Sequence, residues 1–231
     1  MSARRIVVAI DGPAGAGKST IARRIAARMG FLYIDTGAMY RAVALWAQRL
    51  GTSLDDHLNL EQLAIAADIE LRSNPLGVVL NGEDITELIR NPEISQAASK
   101  ASAIPGVRRA LVEKQRAMGA VTSIVMEGRD IGTVVFPDAE IKIFLDAAAE
   151  VRARRRLEEL QAKGQGGLTL EAVLKDINER DTRDRTRGEA PLMQAPDAEY
   201  VDSTENSIEQ VEERILALVR ARTSNGKELH K

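Results

Sequence analysis

The feature that most constrains this chain is a run of small residues, Gly12-Pro-Ala-Gly-Ala-Gly-Lys18-Ser19, directly after the apolar segment Ile6–Ile10. A continuous apolar run of this length predicts a strand buried on both faces of a parallel sheet. The run itself matches Gly-x-x-x-x-Gly-Lys-Ser/Thr in full, and Ser19–Met29 follows with helical spacing of apolar residues. A strand, a glycine-rich loop and a helix in this order predict the opening of a doubly wound α/β fold.

The chemistry of this loop follows from its small residues. To surround a polyphosphate, the backbone must turn several N–H groups inward and approach the anion closely, which glycine permits. The following helix presents its N-terminus to the same anion, a lysine reaches the β- and γ-phosphates, and a hydroxyl can coordinate Mg²⁺. We therefore predict a nucleoside triphosphate site, with Lys18 on the phosphates and Ser19 on the metal. The predicted contacts are Gly12, Pro13, Ala14, Gly15, Ala16, Gly17, Lys18, Ser19 and Thr20.

A phosphate loop by itself does not choose between a kinase, a GTPase and a motor ATPase. The guanine signature Asn/Thr-Lys-x-Asp of GTPases is absent from the sequence. Motor ATPases and helicases usually need a longer chain and a strand ending in paired acids. The predicted strand over Ile141–Asp146 ends in one acid and not in a pair. We interpret Asp146 as a helix N-cap.

The composition of the chain excludes several classes of protein and of functional site. The net charge is −2, whereas a general nucleic-acid binder usually has a basic excess. The absence of cysteine excludes disulfides, thiolate zinc sites and a thiol nucleophile. No apolar stretch reaches the length of a membrane span or a signal peptide, so we expect a cytoplasmic protein that binds neither nucleic acid nor membrane. Arginine makes up 24 of the 32 basic residues, and its planar fork suits phosphates and carboxylates.

The pattern along the chain predicts one domain with two additions. Antiparallel signals, including an Asn81-Gly82 turn, predict an inserted β subdomain at about 64–100. A glycine-rich break at 164–167 separates two arginine-bearing helices, which we predict to form a mobile lid. The predicted parts are a core of 4–35, 103–150 and 188–222, an acceptor-binding part of 36–102, and a lid of about 151–187.

Polar motifs follow two predicted strands. Asp35-Thr-Gly-Ala-Met-Tyr-Arg41 and Glu127-Gly-Arg-Asp130 both start at carboxyl ends, where the ligand crevice of an open α/β sheet lies. The alternative explanation is an ordinary helix surface for Tyr40-Arg41 and a structural ion pair for Arg129-Asp130. Asp130 could hydrogen-bond a base or hold a water on Mg²⁺.

The densest charge alternation in the chain, from Glu179 to Arg187, is either a solvated helix face or a surface that grips a sugar and phosphates. Helical spacing places Arg180, Asp184 and Arg187 on one side. The lid arginines Arg152, Arg155 and Arg156 also share a side of their helix and are predicted to help neutralise the transferring phosphoryl group.

Together these residues resemble the bacterial cytidylate kinases, a family of P-loop nucleoside monophosphate kinases. The resemblance rests on the phosphate loop, Asp35–Arg41, Gly128-Arg-Asp-Ile-Gly-Thr-Val-Val-Phe-Pro137 and Arg180-Asp-x-Arg-Asp-Arg-x-Arg187, and extends over about 6–220. It implies a doubly wound parallel sheet with flanking helices, of the P-loop NTP hydrolase type, with an inserted antiparallel β subdomain and a helical lid. It also implies ATP and Mg²⁺, with CMP and dCMP as phosphoryl acceptors, and we expect a monomer.

The resemblance implies a role for each matching residue. Arg41, Arg129 and Arg187 would bind the acceptor phosphate, with Thr36 beside them, and the implied catalytic set is Lys18, Arg129, Arg156 and Arg187. The implied sugar contacts are Tyr40, Arg180 and Asp184, and the implied cytosine contacts are Ser99, Arg108 and Asp130.

Two other functions stay open at this point. A small-metabolite kinase of the shikimate or gluconate type shares the phosphate loop and lid, although it usually lacks the central insertion. A regulatory module that binds ATP without turnover is the other, although Lys18, Ser19 and the lid arginines are all present.

Overall fold

A computed structural model of the protein describes residues 5–228 apart from 74, 163, 165 and 166, with side chains up to residue 222. Its strands form two separate sheets. The strands are β1 (Val7–Asp11), β2 (Leu32–Asp35), β3 (Ile69–Ser73), β4 (Leu76–Leu80), β5 (Glu83–Asp84), β6 (Ile124–Gly128), β7 (Ile141–Asp146) and β8 (Glu199–Asp202).

The larger sheet has five strands in the order β2-β6-β1-β7-β8, and every neighbouring pair is parallel. The smaller sheet is the antiparallel meander β3-β4-β5. In a parallel sheet the carboxyl ends of all strands lie at one edge, so the residues that follow β1, β2 and β6 lie together at that edge. The predicted doubly wound fold with an antiparallel insertion is confirmed.

Helices cover both faces of the larger sheet. The chain also forms a 3-10 turn after β5, at Leu88–Arg90, and a π-helical turn after β6, at Ile131–Val135. The α-helices are α1 (Lys18–Met29), α2 (Thr36–Arg49), α3 (His57–Ala66), α4 (Pro92–Ala101), α5 (Pro105–Gly119), α6 (Ala149–Ala162), α7 (Leu170–Thr186) and α8 (Ile208–Glu228).

The alternation of side chains along β1 divides the core. Val8 and Ile10 are fully buried in a cluster with residues of α1 and α8, whereas Ala9 belongs to a cluster with β6 and α5. A further apolar cluster joins α2, α3, α5 and the smaller sheet, and a small one joins α6 to α7. The smaller sheet is thus attached to α2, while α6 and α7 form a helical pair with its own apolar contact.

Three helix ends are predicted by residue type alone, namely Gly30 after α1, Thr169 as an N-cap and Ser207 with Gln210 as a capping box, and all three are confirmed. Gly30 ends α1 with a left-handed backbone, and the Thr169 hydroxyl accepts from the N–H of Ala172 at the start of α7. At the start of α8, the Ser207 N–H donates to the Gln210 side chain, while the Gln210 N–H donates to Ser207 Oγ. These contacts need only neighbouring residues, which is why the sequence predicts them.

Four features differ from the sequence expectations. The insertion is a β-meander only over 69–84, and α4 completes it; neither α3 nor α4 was predicted. The last helix continues beyond Val219, its predicted end, to Glu228. Asp146 is not an N-cap, because α6 begins at Ala149 and the Asp146 carboxylate instead accepts from the N–H of Ala147.

Some expectations lie outside the described residues. They are Asn74, predicted with Pro75 to join the two strands of a hairpin, the Gln165 and Gly166 positions of the glycine-rich break, and His230, which lies outside every motif and is predicted to be a surface residue.

Candidate active site at the carboxyl ends of β1, β2 and β6

The loop between β1 and α1 has the backbone of an anion site. Gly12, Gly15 and Gly17 have φ of 149, 77 and 93°, values that side-chain-bearing residues rarely adopt. A Cβ at Gly12 would overlap the carbonyl oxygen of Leu145 in the neighbouring strand. No side chain caps the start of α1 and no acidic residue lies in its first turn, so the N–H groups there are left for a ligand.

Lys18 is buried at the start of α1, and its ammonium donates to the carbonyl oxygen of Pro13 at 2.6 Å. Burial and the positive charges of Arg129 and Arg180 together lower the pKa of Lys18 to about 7. The carboxylates of Glu127 and Asp11 act in the opposite direction but only partly balance the charge of the protonated lysine. A bound polyphosphate would supply the missing negative charge.

Oxygen donors lie beside the loop. The Glu127 carboxylate, at the end of β6, accepts from the Tyr33 hydroxyl at 2.6 Å and lies close enough to Ser19 for that hydroxyl to influence its pKa. Burial raises the pKa of Glu127, and the negative charge of Asp35 raises it further. A hydroxyl with two carboxylates is the hard-oxygen donor set that suits Mg²⁺. Among the described residues no three His, Asp or Glu side chains converge as metal ligands, so the metal would depend on substrate phosphates as well.

Across the crevice, Asp130 and Arg108 form a buried hydrogen-bonded ion pair. The guanidinium of Arg108 also lies 5.6 Å from the centre of the Tyr40 ring and donates to the carbonyl oxygen of Ser102 at 3.1 Å. The Ser102 hydroxyl in turn donates to the carbonyl oxygen of Ser99 at 2.8 Å. The three residues with predicted cytosine contacts are therefore connected along one wall.

A network of arginines and acids closes the other side. Arg129 Nε donates to Asp184 Oδ2 at 2.8 Å, and Arg187 lies 3.6 Å from Asp130 and 3.8 Å from Asp184. Burial opposes ionisation of Asp184, but Arg129 and Arg180 outweigh it and hold the pKa of Asp184 below its usual range. Among the described residues, Arg180 Nε and Arg187 Nη2 are buried without a hydrogen-bond partner. Buried donors of this kind are costly, so these two point to a ligand with acceptor oxygens.

The remaining predicted acceptor residues lie at the end of β2. Arg41 donates to Asp35 Oδ2 at 2.8 Å, and Asp35 also caps α2 by accepting from the N–H of Ala38. The Thr36 hydroxyl donates to the carbonyl oxygen of Glu127 at 2.7 Å and so ties β2 to β6. Both residues thus lie at the edge where the other motifs meet.

The lid arginines have different partners. Arg152 is buried and donates to the carbonyl oxygen of Ala14 in the phosphate loop, and Arg155 donates to the carbonyl oxygen of Ser203 at 2.6 Å. Arg156 pairs with Glu159 on its own helix, at 2.8 Å. The structure therefore brings Arg152 to the loop, but it does not bring Arg156 into the arginine network.

Sequence reasoning missed several residues of this site. Asp11 is buried and accepts from the N–H groups of Ile131 and Gly132 at 2.8 and 2.7 Å, which fixes the turn after Asp130. Burial raises the pKa of Asp11 to about 6, although these two hydrogen bonds act in the opposite direction. Its position directly after a buried strand was the available signal. Asp181 accepts from the N–H of Ala14 in the phosphate loop at 3.4 Å, and for this contact the sequence contains no comparable signal.

None of the described helices is long and apolar enough to cross a membrane.

Comparison with known proteins agrees with this geometry. Residues 8–221 match the family described as cytidylate kinase. The chain is 60% identical to a cytidylate kinase of Solibacter usitatus, with 97% of each chain covered, and 53% identical to one of Pelotomaculum thermopropionicum, with 93% of this chain and 96% of the relative covered. A solved gluconokinase from Sinorhizobium meliloti shares the fold at 14% identity, with a TM-score of 0.50 and coverage of 99% and 100%. The family match spans nearly the whole chain and the identities are high, so the chain belongs to the cytidylate kinase family.

Proposed function

We propose that this protein transfers the γ-phosphoryl group of ATP to CMP and dCMP, producing CDP or dCDP and ADP. The observation that carries the proposal is the meeting of two features at one sheet edge. One is a phosphate loop with an uncapped helix start, and the other is an arginine network in which, among the described residues, buried donors of Arg180 and Arg187 have no hydrogen-bond partner. The family match supports CMP over shikimate or gluconate as the acceptor class, because the likeness to the gluconokinase extends to the fold alone.

The donor triphosphate lies along residues 12–20 in this proposal. Backbone N–H groups and Lys18 bind its β- and γ-phosphates, and the ligand's negative charge restores the protonated form of Lys18. Ser19 holds Mg²⁺, with Glu127 and Asp35 as the neighbouring oxygen donors. When bound, the metal neutralises charge on the β- and γ-phosphates.

The acceptor nucleotide lies between β6, α5 and α7. Ser99, Arg108 and Asp130 bind the cytosine, and the sugar contacts Tyr40, Arg180 and Asp184. Arg41, Arg129, Arg187 and Thr36 lie around the acceptor phosphate. The connection of Ser99 to Asp130 through Ser102 and Arg108 supports this arrangement, as do the free donors of Arg180 and Arg187.

The chemical step needs positioning rather than a strong base. An oxygen of the CMP phosphate, already anionic near neutral pH, attacks the γ-phosphorus of ATP in line, and the bond to the β-phosphate oxygen breaks to release ADP. Lys18, Arg129 and Arg187 neutralise the charge that spreads over the transferring group. Arg156 joins them only if the lid moves and Arg156 leaves Glu159, so its catalytic role stays a prediction.

The division of the chain into a core, an acceptor-binding part of 36–102 and a lid of 151–187 is part of this proposal. The separate apolar clusters around α2 and between α6 and α7 support it. The monomeric state and the cytoplasmic location of the protein remain predictions.

An acceptor screen tests the function. Purified protein with ATP and Mg²⁺ is offered CMP, dCMP, UMP, AMP, shikimate or gluconate singly, and ADP release is measured. CMP and dCMP should give the highest kcat/KM, and Lys18→Ala should lose that activity while keeping a folded circular dichroism spectrum. Preference for shikimate or gluconate would overturn the proposal, and silence with every acceptor would favour a binding module.

A further inference from the structure

The lid helix α7 contacts the predicted cytosine wall through Arg183, a residue of the motif Arg180–Arg187 to which the resemblance assigns no role. In the last turn of α7, Arg183 Nη1 donates to Ser99 Oγ at 2.6 Å. Ser99 is buried in α4, while Arg183 is half-buried. A second contact between the same helices, from Gln96 to Asp176 at 3.2 Å, keeps α7 against α4. The Arg183–Ser99 contact is therefore part of a helix interface.

The hydrogen bond between Arg183 and Ser99 can have only one direction. A guanidinium has donors and no acceptor, so the Ser99 hydroxyl must accept through a lone pair. A hydroxyl also has one hydrogen to donate. Within the described part of the chain, the Ser99 hydroxyl donates that hydrogen to no protein group. The Ser99 hydroxyl thus accepts from Arg183, and the hydrogen of the hydroxyl is left to donate to a ligand.

The opposite end of the wall has the complementary property. Asp130 is paired with Arg108 and lies 3.6 Å from Arg187, so its carboxylate is an acceptor. Hydrogen bonds through Ser102 and Arg108 connect the backbone of Ser99 to Asp130. The wall therefore offers a hydroxyl donor at Ser99 and a carboxylate acceptor at Asp130.

We propose that Arg183 is a positioning residue for base selection: it holds the Ser99 hydroxyl as a donor toward the unprotonated ring N3 of cytosine. The inference rests on the proposed function and adds the residue that fixes the direction of one hydrogen bond. Cytosine presents an acceptor at N3 and an amino donor at N4, which fit Ser99 and Asp130 respectively. Uracil presents N3–H and a carbonyl oxygen, so both contacts would fail.

The pairing also makes selection depend on the lid. Arg183 lies on α7, the helix that carries Arg180 and Asp184, whereas Ser99 lies on α4 of the insertion. The donor direction of Ser99 is consequently fixed only while α7 contacts α4.

The test compares kcat/KM for CMP and UMP in three variants. Arg183→Gln should reduce the CMP-to-UMP ratio about tenfold, the value expected for one hydrogen bond in a buried setting. Arg183→Lys retains a charged donor and should recover part of the ratio. Arg185→Gln removes an exposed basic residue from the same helical turn and should leave the ratio unchanged.

A double-mutant cycle shows whether Arg183 acts through Ser99. If it does, adding Arg183→Gln to Ser99→Ala should change the ratio no further. As a second measurement, 3-deazacytidine monophosphate lacks the ring acceptor, so the wild-type protein should bind it about tenfold more weakly than CMP, while Arg183→Gln should bind the two about equally.

The outcomes separate this inference from the function itself. Absence of CMP phosphorylation in the wild-type protein would remove the proposed function. A wild-type protein that is active on CMP, together with an Arg183→Gln variant that keeps the wild-type ratio, would overturn the inference alone. Tighter binding of CMP by Arg183→Gln would also overturn it, because it would mean that Arg183 competes with the base for Ser99.

Discussion

Arg152 of α6 and Asp181 of α7 form a buried ion pair of 2.7 Å that fastens both lid helices to the phosphate loop. Arg152 donates to the carbonyl oxygen of Ala14 at 2.9 Å, and Asp181 accepts from the N–H of the same residue at 3.4 Å. Arg152 also donates to the carbonyl oxygen of Ala147, so its charge is well satisfied. The path of the loop near Ala14 is therefore set partly by the lid.

We expect Asp181→Asn to lower the free energy of unfolding by about 3 kcal/mol, because it leaves the buried charge of Arg152 without its anionic partner. The loop should also lose order, so KM for ATP should rise several-fold with a smaller effect on KM for CMP. Urea denaturation and steady-state kinetics measure both effects. The control is Asp55→Asn, an exposed aspartate outside the lid. Unchanged stability of Asp181→Asn would contradict this account of the pair.

Lys18→Met should lose two or more orders of magnitude in kcat, since the lysine stabilises charge on the transferring group. The same change should raise the melting temperature at pH 6, because it removes a buried ammonium whose pKa is lowered to about 7 by burial and by Arg129 and Arg180. Lys175→Met, at an exposed position, should change neither quantity. Calorimetry measures the melting temperature, and an ADP-release assay measures kcat. A less stable Lys18→Met protein at pH 6 would count against the buried charge.

The stability gain of Lys18→Met should shrink as the pH rises from about 7 to about 10. Over this range the folded protein has released the Lys18 proton while the unfolded chain, with the ordinary lysine pKa of 10.5, still binds it. The unfolded state then binds more protons, so the stability of the wild-type protein relative to the variant rises with pH. Unfolding free energies of both proteins across this range give the measurement, and a constant difference would argue for an unshifted lysine.

Arg187→Ala should raise KM for CMP about 100-fold, because a charge-assisted hydrogen bond from its buried Nη2 to a phosphate would be lost. Binding of ATP should change less than about twofold, since the residue lies with Asp130 and Asp184 on the acceptor side. Isothermal titration with each nucleotide measures this separation. Arg214→Ala, which removes an exposed pair with Glu199, is the matched control. Equal losses for CMP and ATP would place Arg187 elsewhere.

Gly12→Ala should destabilise the protein by several kcal/mol more than Gly17→Ala. Both glycines have positive φ, which costs about 1 to 2 kcal/mol for alanine. A Cβ at Gly12 would in addition overlap the Leu145 carbonyl, whereas nothing lies within 4 Å of one at Gly17. Thermal unfolding of the two variants compares them directly. Similar melting temperatures would show that β7 moves away at little cost.

Much of the fold could be predicted from the sequence because its signals are local. An apolar run, a glycine-rich loop and a capping residue each act within a few positions, and the first strand, predicted over Ile6–Ile10, is β1 at Val7–Asp11. The helices α3 and α4, which lie on either side of the antiparallel meander, were not predicted. Only Leu60 and Ala64 of α3 are buried, so the helix has little apolar periodicity to reveal it. The extent of the insertion depends on what packs on α2, which local patterns do not contain.

The sequence by itself determined the phosphate loop, the order of strands and helices, and the motifs that follow β2 and β6. Only the tertiary structure decided what each arginine does. Helical spacing places Arg152 and Arg156 on one side of α6, yet one is buried on the phosphate loop and the other pairs with Glu159. Spacing likewise gives no reason to connect Arg183 with Ser99, 84 positions away. The physical reason is that periodicity fixes the side of a helix on which a residue lies, whereas its partner depends on which distant element packs there.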